Sequence, residues 1–278
     1  MTDTKADPIL VADRFTEIRK LLLEVLRSLS PDDWARPTAA PLWSVKDVAL
    51  HLLGGDLGNL SRRRDGFRPL SRPIADYRDL VTFINAFNSD WVRAARRIST
   101  RLLCDLLAFT GPQLADHFAS LDPFALGEPV SWAGPAPAPV WLDVAREYTE
   151  QRHHQQQIRD ATGKPPLYSP QFFAPVLDTF MRATPHAYRN TQATEQTVVQ
   201  IEITGTAGGR WFLQRNRNSW ESLIATDVIP KAELSISQDA AWRLFTKGMR
   251  PEESARLAEI RGDSALAEPL FGTVAVIA

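Results

Sequence analysis

Cysteine is almost missing from this chain: Cys104 is the one cysteine in 278 residues. No internal disulfide can form, and zinc sites built on two or four cysteines are excluded. Net charge is nearly missing too. Thirty-two basic and 33 acidic side chains leave a formal charge of -1, which rules out a strongly basic nucleic-acid surface or a polybasic membrane surface as the main theme. Long apolar runs are absent. The greasiest stretch, around residues 102–109, is broken by Cys104 and Asp105, and nothing approaches the roughly 18 residues that a membrane span needs. The opening MTDTKADPILVADRF carries early acidic residues and no apolar segment. No signal peptide is expected there, and a cytoplasmic location is. Histidine is scarce at five residues, two of them adjacent.

What remains is a soluble globular composition, 44% hydrophobic and 23% charged, which argues against disorder and fibrous structure. The length suggests two domains or one large one, and the apolar pattern shows two textures. Up to about residue 160 it is helical. Ile9, Phe15, Ile18, Leu22, Val25, Leu26 and Leu29 line the first segment, which stops at Ser30-Pro31. A second helix opens at Ser44, where Ser44 and Asp47 read as a capping box. A third is expected over residues 77–97. A fourth covers about 99–121, with an interruption at Gly111-Pro112. Residues 122–139, rich in proline and glycine, read as a long loop. The last long helix is expected from Val140 to Thr162, ended by Gly163 and Pro165-Pro166.

Beyond a proline-punctuated connection (Pro165, Pro166, Pro170, Pro175) and a short helix near 176–183, the period becomes two. TVVQIEIT at 197–204 pairs with RWFLQ at 210–214 as a hairpin, and 219–224 and 232–237 are further strands. Helices follow at 239–247, 251–257 and 265–270, with a final strand TVAVIA. Successive long helices followed by strands imply a helical bundle and then an α+β domain.

The candidate chemistry lies with the histidines. Glu150 precedes His154 by four residues on the last long helix, so both occupy one face. Such a pair can offer a carboxylate oxygen and an imidazole nitrogen to one ion, and it also occurs as an ordinary surface pair. With a third ligand from another helix, three protein groups would leave one position open, the pattern of a catalytic metal site. His153 points about 100° away, although its i,i+3 spacing from Glu150 keeps it as an alternative ligand. His51, taken alone, reads as a core or boundary histidine. His117 and His186 show no partner pattern. Gly54 and Gly55, within a turn of His51, imply either close packing or ligand access. Arg62, Arg63 and Arg64 are basic residues of a helix C-terminus that could also meet an anion. Cys104 sits in an apolar run and reads as core filler.

WARPTAAPLWSVKDVALHLLGGD (Trp34–Asp56) resembles the DinB-like superfamily, specifically its mycothiol-dependent maleylpyruvate isomerase family. The matching positions are Trp43, Ser44, Val45, Asp47, Val48, His51 and Leu52. AREYTEQRHHQQQIRDATG (Ala145–Gly163) resembles the same family's second ligand segment. The resemblance implies His51, Glu150 and His154 as ligands of a divalent metal, with zinc expected. GTAGGRWFL and IRGDSALAEPLF are similar to the sterol-carrier-like domain that follows the bundle in this family. The implied architecture is therefore a DinB-like four-helix bundle over residues 1–168 and a smaller α+β sterol-carrier-like domain over 169–278. In the family an arginine of the second domain is associated with the site, with Arg243 and Arg261 as candidates here.

The implied chemistry is that of a mycothiol-using isomerase or S-transferase acting on a small electrophilic metabolite. Gly55, Arg62 and Gln157 are the expected substrate or thiol contacts. The partners would be small molecules, with neither nucleic acid nor membrane, and the oligomeric state is open between monomer and homodimer. Two competing readings are a metal-dependent hydrolase or lyase on the same scaffold, and a non-enzymatic binding protein with a vestigial metal site.

Overall fold

Side-chain caps start most of the helices. The computed structural model describes residues 4–68 and 73–276. A 3-10 turn at Ala12–Arg14 leads into α1, Phe15–Arg27. The short α2, Pro31–Ala35, has a capping box formed by Ser30 and Asp33. The box expected before α3, Val45–Asn59, is present: Asp47 N donates to Ser44 Oγ (3.3 Å), and Ser44 N donates to Asp47 Oδ2 (3.1 Å). A π-helical turn, Leu60–Arg64, extends α3. Next come α4, Tyr77–Ala95, capped by Asp76, and α5, Thr100–Ala119, capped by Ser99.

The expected break at Gly111-Pro112 does not occur, and α5 is continuous. A proline removes a backbone donor from the helix interior. The apolar stripe nevertheless runs on past it, with Leu103, Leu107, Leu114 and Phe118 all buried, and this burial holds the helix together across the missing bond. The long helix α6 has the expected bounds, Val140–Thr162, and Gly163 follows it at φ +63°, the left-handed turn that favours glycine.

The chain divides into two compact units. One comprises Leu10–Pro123 and Glu147–Leu167, which makes it helical. Leu22 and Leu26 of α1, Val48, Leu52 and Leu53 of α3, Leu103 and Leu107 of α5 and Ile158 of α6 form its core, with Cys104 among them. Each fully buried leucine contributes about 1.5–3 kcal/mol. A polar cluster lies inside this bundle and takes one residue each from α1, α3, α5 and α6. Asp56 accepts from Arg19 Nη2 (2.6 Å), Thr110 Oγ1 (2.6 Å) and Gln151 Nε2 (3.2 Å).

Among the described residues, the other unit takes 4–9, Phe124–Arg146 and 168–276. It is therefore discontinuous, where the sequence pattern suggests a single boundary. Its six-stranded sheet has the order β1-β6-β5-β4-β7-β8. The strands are β1 (Thr4–Lys5), β4 (Val198–Thr204), β5 (Gly209–Arg215), β6 (Trp220–Ala225), β7 (Ala232–Ser237) and β8 (Glu259–Gly262). β4 and β5 form the expected antiparallel hairpin, with Ile201 opposite Trp211, while β4 and β7 pair in parallel. The parallel pair needs a crossover, and the connection between them contains β5 and β6. The two-residue β1 and the four-residue β8 close the edges; both are too short to show a period.

Four readings are corrected in this unit. The loop at 122–139 holds a small ladder of β2, Leu126–Pro129, with β3, Pro137–Pro139. The helix near 176 is longer: α7 runs Pro170–Met181, with Pro170 in its first turn and Pro175 inside it. It is followed by the single turn α8, Thr184–Ala187. After α9 (Gln238–Phe245), α10 (Pro251–Leu257) and α11 (Ser264–Ala267), a 3-10 turn reaches Gly272. Residues 273–276 are not a strand, and Ile277 and Ala278 lie outside the described residues.

Candidate metal centre

Two helices supply the centre. The Ser44 cap fixes where α3 begins and so the face on which His51 stands, seven residues on. Asp47, the other half of the cap, is held by Arg96 through Nε (2.8 Å) and Nη2 (3.0 Å). Burial works against ionisation of Asp47, but the hydrogen bonds from Arg96 and Ser44 outweigh it and keep its carboxyl below the ordinary value.

α6 supplies Glu150 and His154, and its surroundings are unusual. From Thr149 to Arg159 nearly every residue is polar, yet all but Glu150 are buried. Burying polar groups is costly unless they are hydrogen-bonded. Part of the compensation comes from the returning linker. Arg152 Nη2 donates to Leu167 O (2.8 Å), Leu167 N donates to Gln156 Oε1 (2.9 Å), and Arg159 Nη1 donates to Pro165 O (2.9 Å). Gln151 belongs to the Asp56 cluster. α6 is thus pinned on two sides, leaving the face with Glu150 and His154 turned toward α3.

On that face, donor atoms of His51, Glu150 and His154 all lie within 4.8 Å of one another. His154 Nε2 stands 3.2 Å from Glu150 Oε2, and the rings of His51 and His154 meet edge to face at 4.6 Å. Zinc bonds of about 2.1 Å in tetrahedral geometry separate ligand atoms by roughly 3.4 Å. The three groups therefore need only small side-chain adjustments to share one ion. Two neutral nitrogens and a carboxylate are also a donor set that zinc accepts.

Each imidazole is oriented differently. Gln157 Oε1 accepts from His154 Nδ1 (2.8 Å), which directs the Nε2 lone pair into the centre. His51 packs on the indole of Trp43 at 4.9 Å, tilted 39°. Burial, aided by the neighbouring His154, pushes the pKa of His51 well below its ordinary value. It therefore stays neutral, as a metal ligand must. His153 packs beside His154 at 4.7 Å between ring centres and lies outside the triad.

Of the other expected contacts, Gln157 is buried behind His154. Gly55 is exposed, and a Cβ built there would meet nothing within 4 Å. Arg62 is exposed on the π-helical turn. Gly54 is explained by packing, because a Cβ there would lie 2.5 Å from Nε1 of Trp91, which donates to Leu50 O (2.8 Å). Cys104 is 6% exposed in the core, and burial raises its pKa. The sequence pattern did not reveal the indole support from Trp43 or the Asp56 cluster. The i,i+3 spacing of His154 and Gln157 was a usable signal for their bond.

Fold and site together define a helical bundle with a candidate His/Glu/His metal centre, joined to a unit built on a mixed sheet. Residues 15–159, more than half of the chain, match the family of the mycothiol maleylpyruvate isomerase N-terminal domain, and the protein belongs to that family. Among solved structures it is similar to a mycothiol-dependent maleylpyruvate isomerase, with a TM-score of 0.50 and 9% identity, over 84% of this chain and 88% of the other. A histidine-to-alanine mutant structure described by the same name gives 0.46 and 10%, over the same shares of each chain. A ubiquinone synthesis protein described as UbiJ-SCP2 gives 0.25 and 14%, over 35% of this chain and 85% of that one. At 9% identity the likeness to the isomerase is one of fold. No curated protein matches the chain by sequence. Among the described residues, no helix is long and apolar enough to cross a membrane.

Proposed function

We propose that the protein is a cytoplasmic, metal-dependent enzyme that uses a low-molecular-weight thiol, mycothiol, on a small electrophilic metabolite, as an isomerase or S-transferase. The observation that carries this reading is the convergence of His51, Glu150 and His154 from α3 and α6 in a chain of this family. A divalent ion held by these three, with zinc the best fit to the donors, would act as a Lewis acid and favour thiolate over thiol. Two neutral imidazoles and one carboxylate leave such a site net positive, which suits an anionic sulfur. The chain's own thiol does not meet the requirement, because Cys104 is buried in the core with a raised pKa; the sulfur has to come from outside. In an isomerase the sulfur adds to an electron-poor double bond, the new single bond rotates, and elimination returns the thiol. In a transferase it displaces a leaving group. Gly55, with open space beside it one turn along from His51, and the exposed Arg62 remain the proposed contacts for thiol and substrate.

The test is metal content and thiol binding of the purified protein. The reading expects about one zinc per chain, lost in His51→Ala and His154→Ala, and mycothiol binding that requires the metal. Hydrolytic turnover without thiol binding would replace this reading with a metal-dependent hydrolase. Absence of metal, with no uptake on titration, would refute both.

A further inference from the structure

Gln157 stands three residues beyond His154 on α6 and is 5% exposed. Its carbonyl oxygen can only accept, so the 2.8 Å contact with His154 Nδ1 requires the proton to be on Nδ1. Nε2 of the same ring is the atom 3.2 Å from Glu150 Oε2, on the side where His51 converges. The neutral ring has two tautomers, and only the one protonated at Nδ1 presents a lone pair to that centre. Among the described residues His51 has no such hydrogen bond: its ring is seated by Trp43 and His154 through ring packing.

We propose that Gln157 is a positioning residue for the metal centre, selecting the tautomer and ring orientation of His154 so that Nε2 faces the ion, instead of contacting substrate or thiol. The inference rests on the metal-site reading above. A partner on the far nitrogen of a ligating histidine locks the ring and raises its basicity, and removing such a partner typically costs 10- to 100-fold in metal affinity. A carboxylate at this position would accept the same proton, so Gln157→Glu preserves the function while Gln157→Met, of similar length, abolishes it.

The experiment measures zinc affinity by competition with a chromophoric chelator for wild type, Gln157→Met and Gln157→Glu. It also records the 15N resonances of the His154 ring in zinc-loaded wild type. The expected result is a dissociation constant raised about 10- to 100-fold in Gln157→Met, a value within a few-fold of wild type or tighter in Gln157→Glu, and a wild-type ring protonated at Nδ1. Equal affinity in Gln157→Met would overturn the proposal, as would equal losses in both variants. A ring protonated at Nε2 in the zinc-loaded wild type would overturn it even if Gln157→Met failed to fold. If wild type itself bound zinc no better than His51→Ala, the metal-site reading would fail and take this inference with it. Zinc binding by wild type and Gln157→Met alike would sink this inference alone.

Discussion

Removing the Asp56 carboxylate from the bundle interior should be among the most damaging single changes outside the apolar core. Both of its oxygens are engaged, Oδ1 by Arg19 and Gln151 and Oδ2 by Thr110. The side chains of Arg19 and Asp56 are 7% and 0% exposed, and 2.6 Å apart. Asp56→Ala leaves a guanidinium in the bundle with no countercharge. Breaking a buried ion pair from one side costs about 3–5 kcal/mol. At about 2–4 °C per kcal/mol for a unit of this size, the melting temperature should fall by roughly 6–20 °C. Because the pair is buried, the loss should persist in 1 M salt, where the Debye length is only about 3 Å. The double variant Arg19→Met/Asp56→Leu removes both charges. It should recover most of the loss, since apolar replacement of a whole buried pair is often neutral or stabilising. Thermal and urea denaturation of the three metal-free proteins decides the matter. An Asp56→Ala loss below about 1 kcal/mol, or a double variant no more stable than the single one, would refute the reasoning.

The two adjacent glycines of α3 should respond oppositely to alanine. Gly54→Ala should destabilise by about 1–3 kcal/mol, because the new Cβ would meet the Trp91 ring at 2.5 Å; Gly55→Ala, with open space beside it, should gain about 0.5–1 kcal/mol. Denaturation midpoints of the pair check both signs. Trp43→Ala removes the ring that seats His51 and should weaken zinc binding while leaving the Ser44–Asp47 cap in place, measurable by chelator competition. For Asp47 the folded pKa lies below the unfolded one. Its stabilisation is therefore fully present above the ordinary carboxylate pKa of about 3.9 and is lost as pH falls through the folded value. Acid unfolding of Asp47→Asn followed by circular dichroism should accordingly show a shallower decline below pH ~4 than wild type.

Legibility from the sequence followed the physics of each element. The bounds of α6, β7 and α10 were readable from local signals: Gly163 and Pro165-Pro166 follow α6, Ala232, Leu234 and Ile236 alternate along β7, and Pro251 opens α10. Pro112 misled because a rule about one missing backbone donor does not weigh the burial of Leu103, Leu107, Leu114 and Phe118 along the same helix. β1 and β8 have two and four residues, too few to display a period of two, and they exist only because a sheet edge is available for pairing. The terminal TVAVIA alternates like a strand, yet residues 273–276 are irregular: Thr273 N donates to Leu270 O and Ala275 N to Phe245 O. Alternation specifies a half-buried extended segment, and a loop packed on a core produces the same pattern.

The candidate centre was legible for a different reason from the structure that holds it in place. His51, Glu150 and His154 stood out as scarce residue types at a spacing one face can satisfy, within segments that resemble a known family. The support did not, because polarity normally marks a solvent face, and the polar run QRHHQQQIR reads that way. Its burial becomes intelligible only with the tertiary partners present. Leu167 and Pro165 return on one side through backbone groups that carry no sequence signature, and Asp56 comes from another helix 95 residues away from Gln151. A helix clamped by hydrogen bonds has less freedom to rotate than one resting on interchangeable apolar contacts, since each bond has a direction. That constraint suits a helix whose Glu150 and His154 must meet a residue of α3 to within about an ångström. It also accounts for retaining a costly charged pair in the bundle: Arg19–Asp56 contributes little net stability compared with apolar packing, but through Gln151 it fixes α6 beside the two side chains whose position matters most.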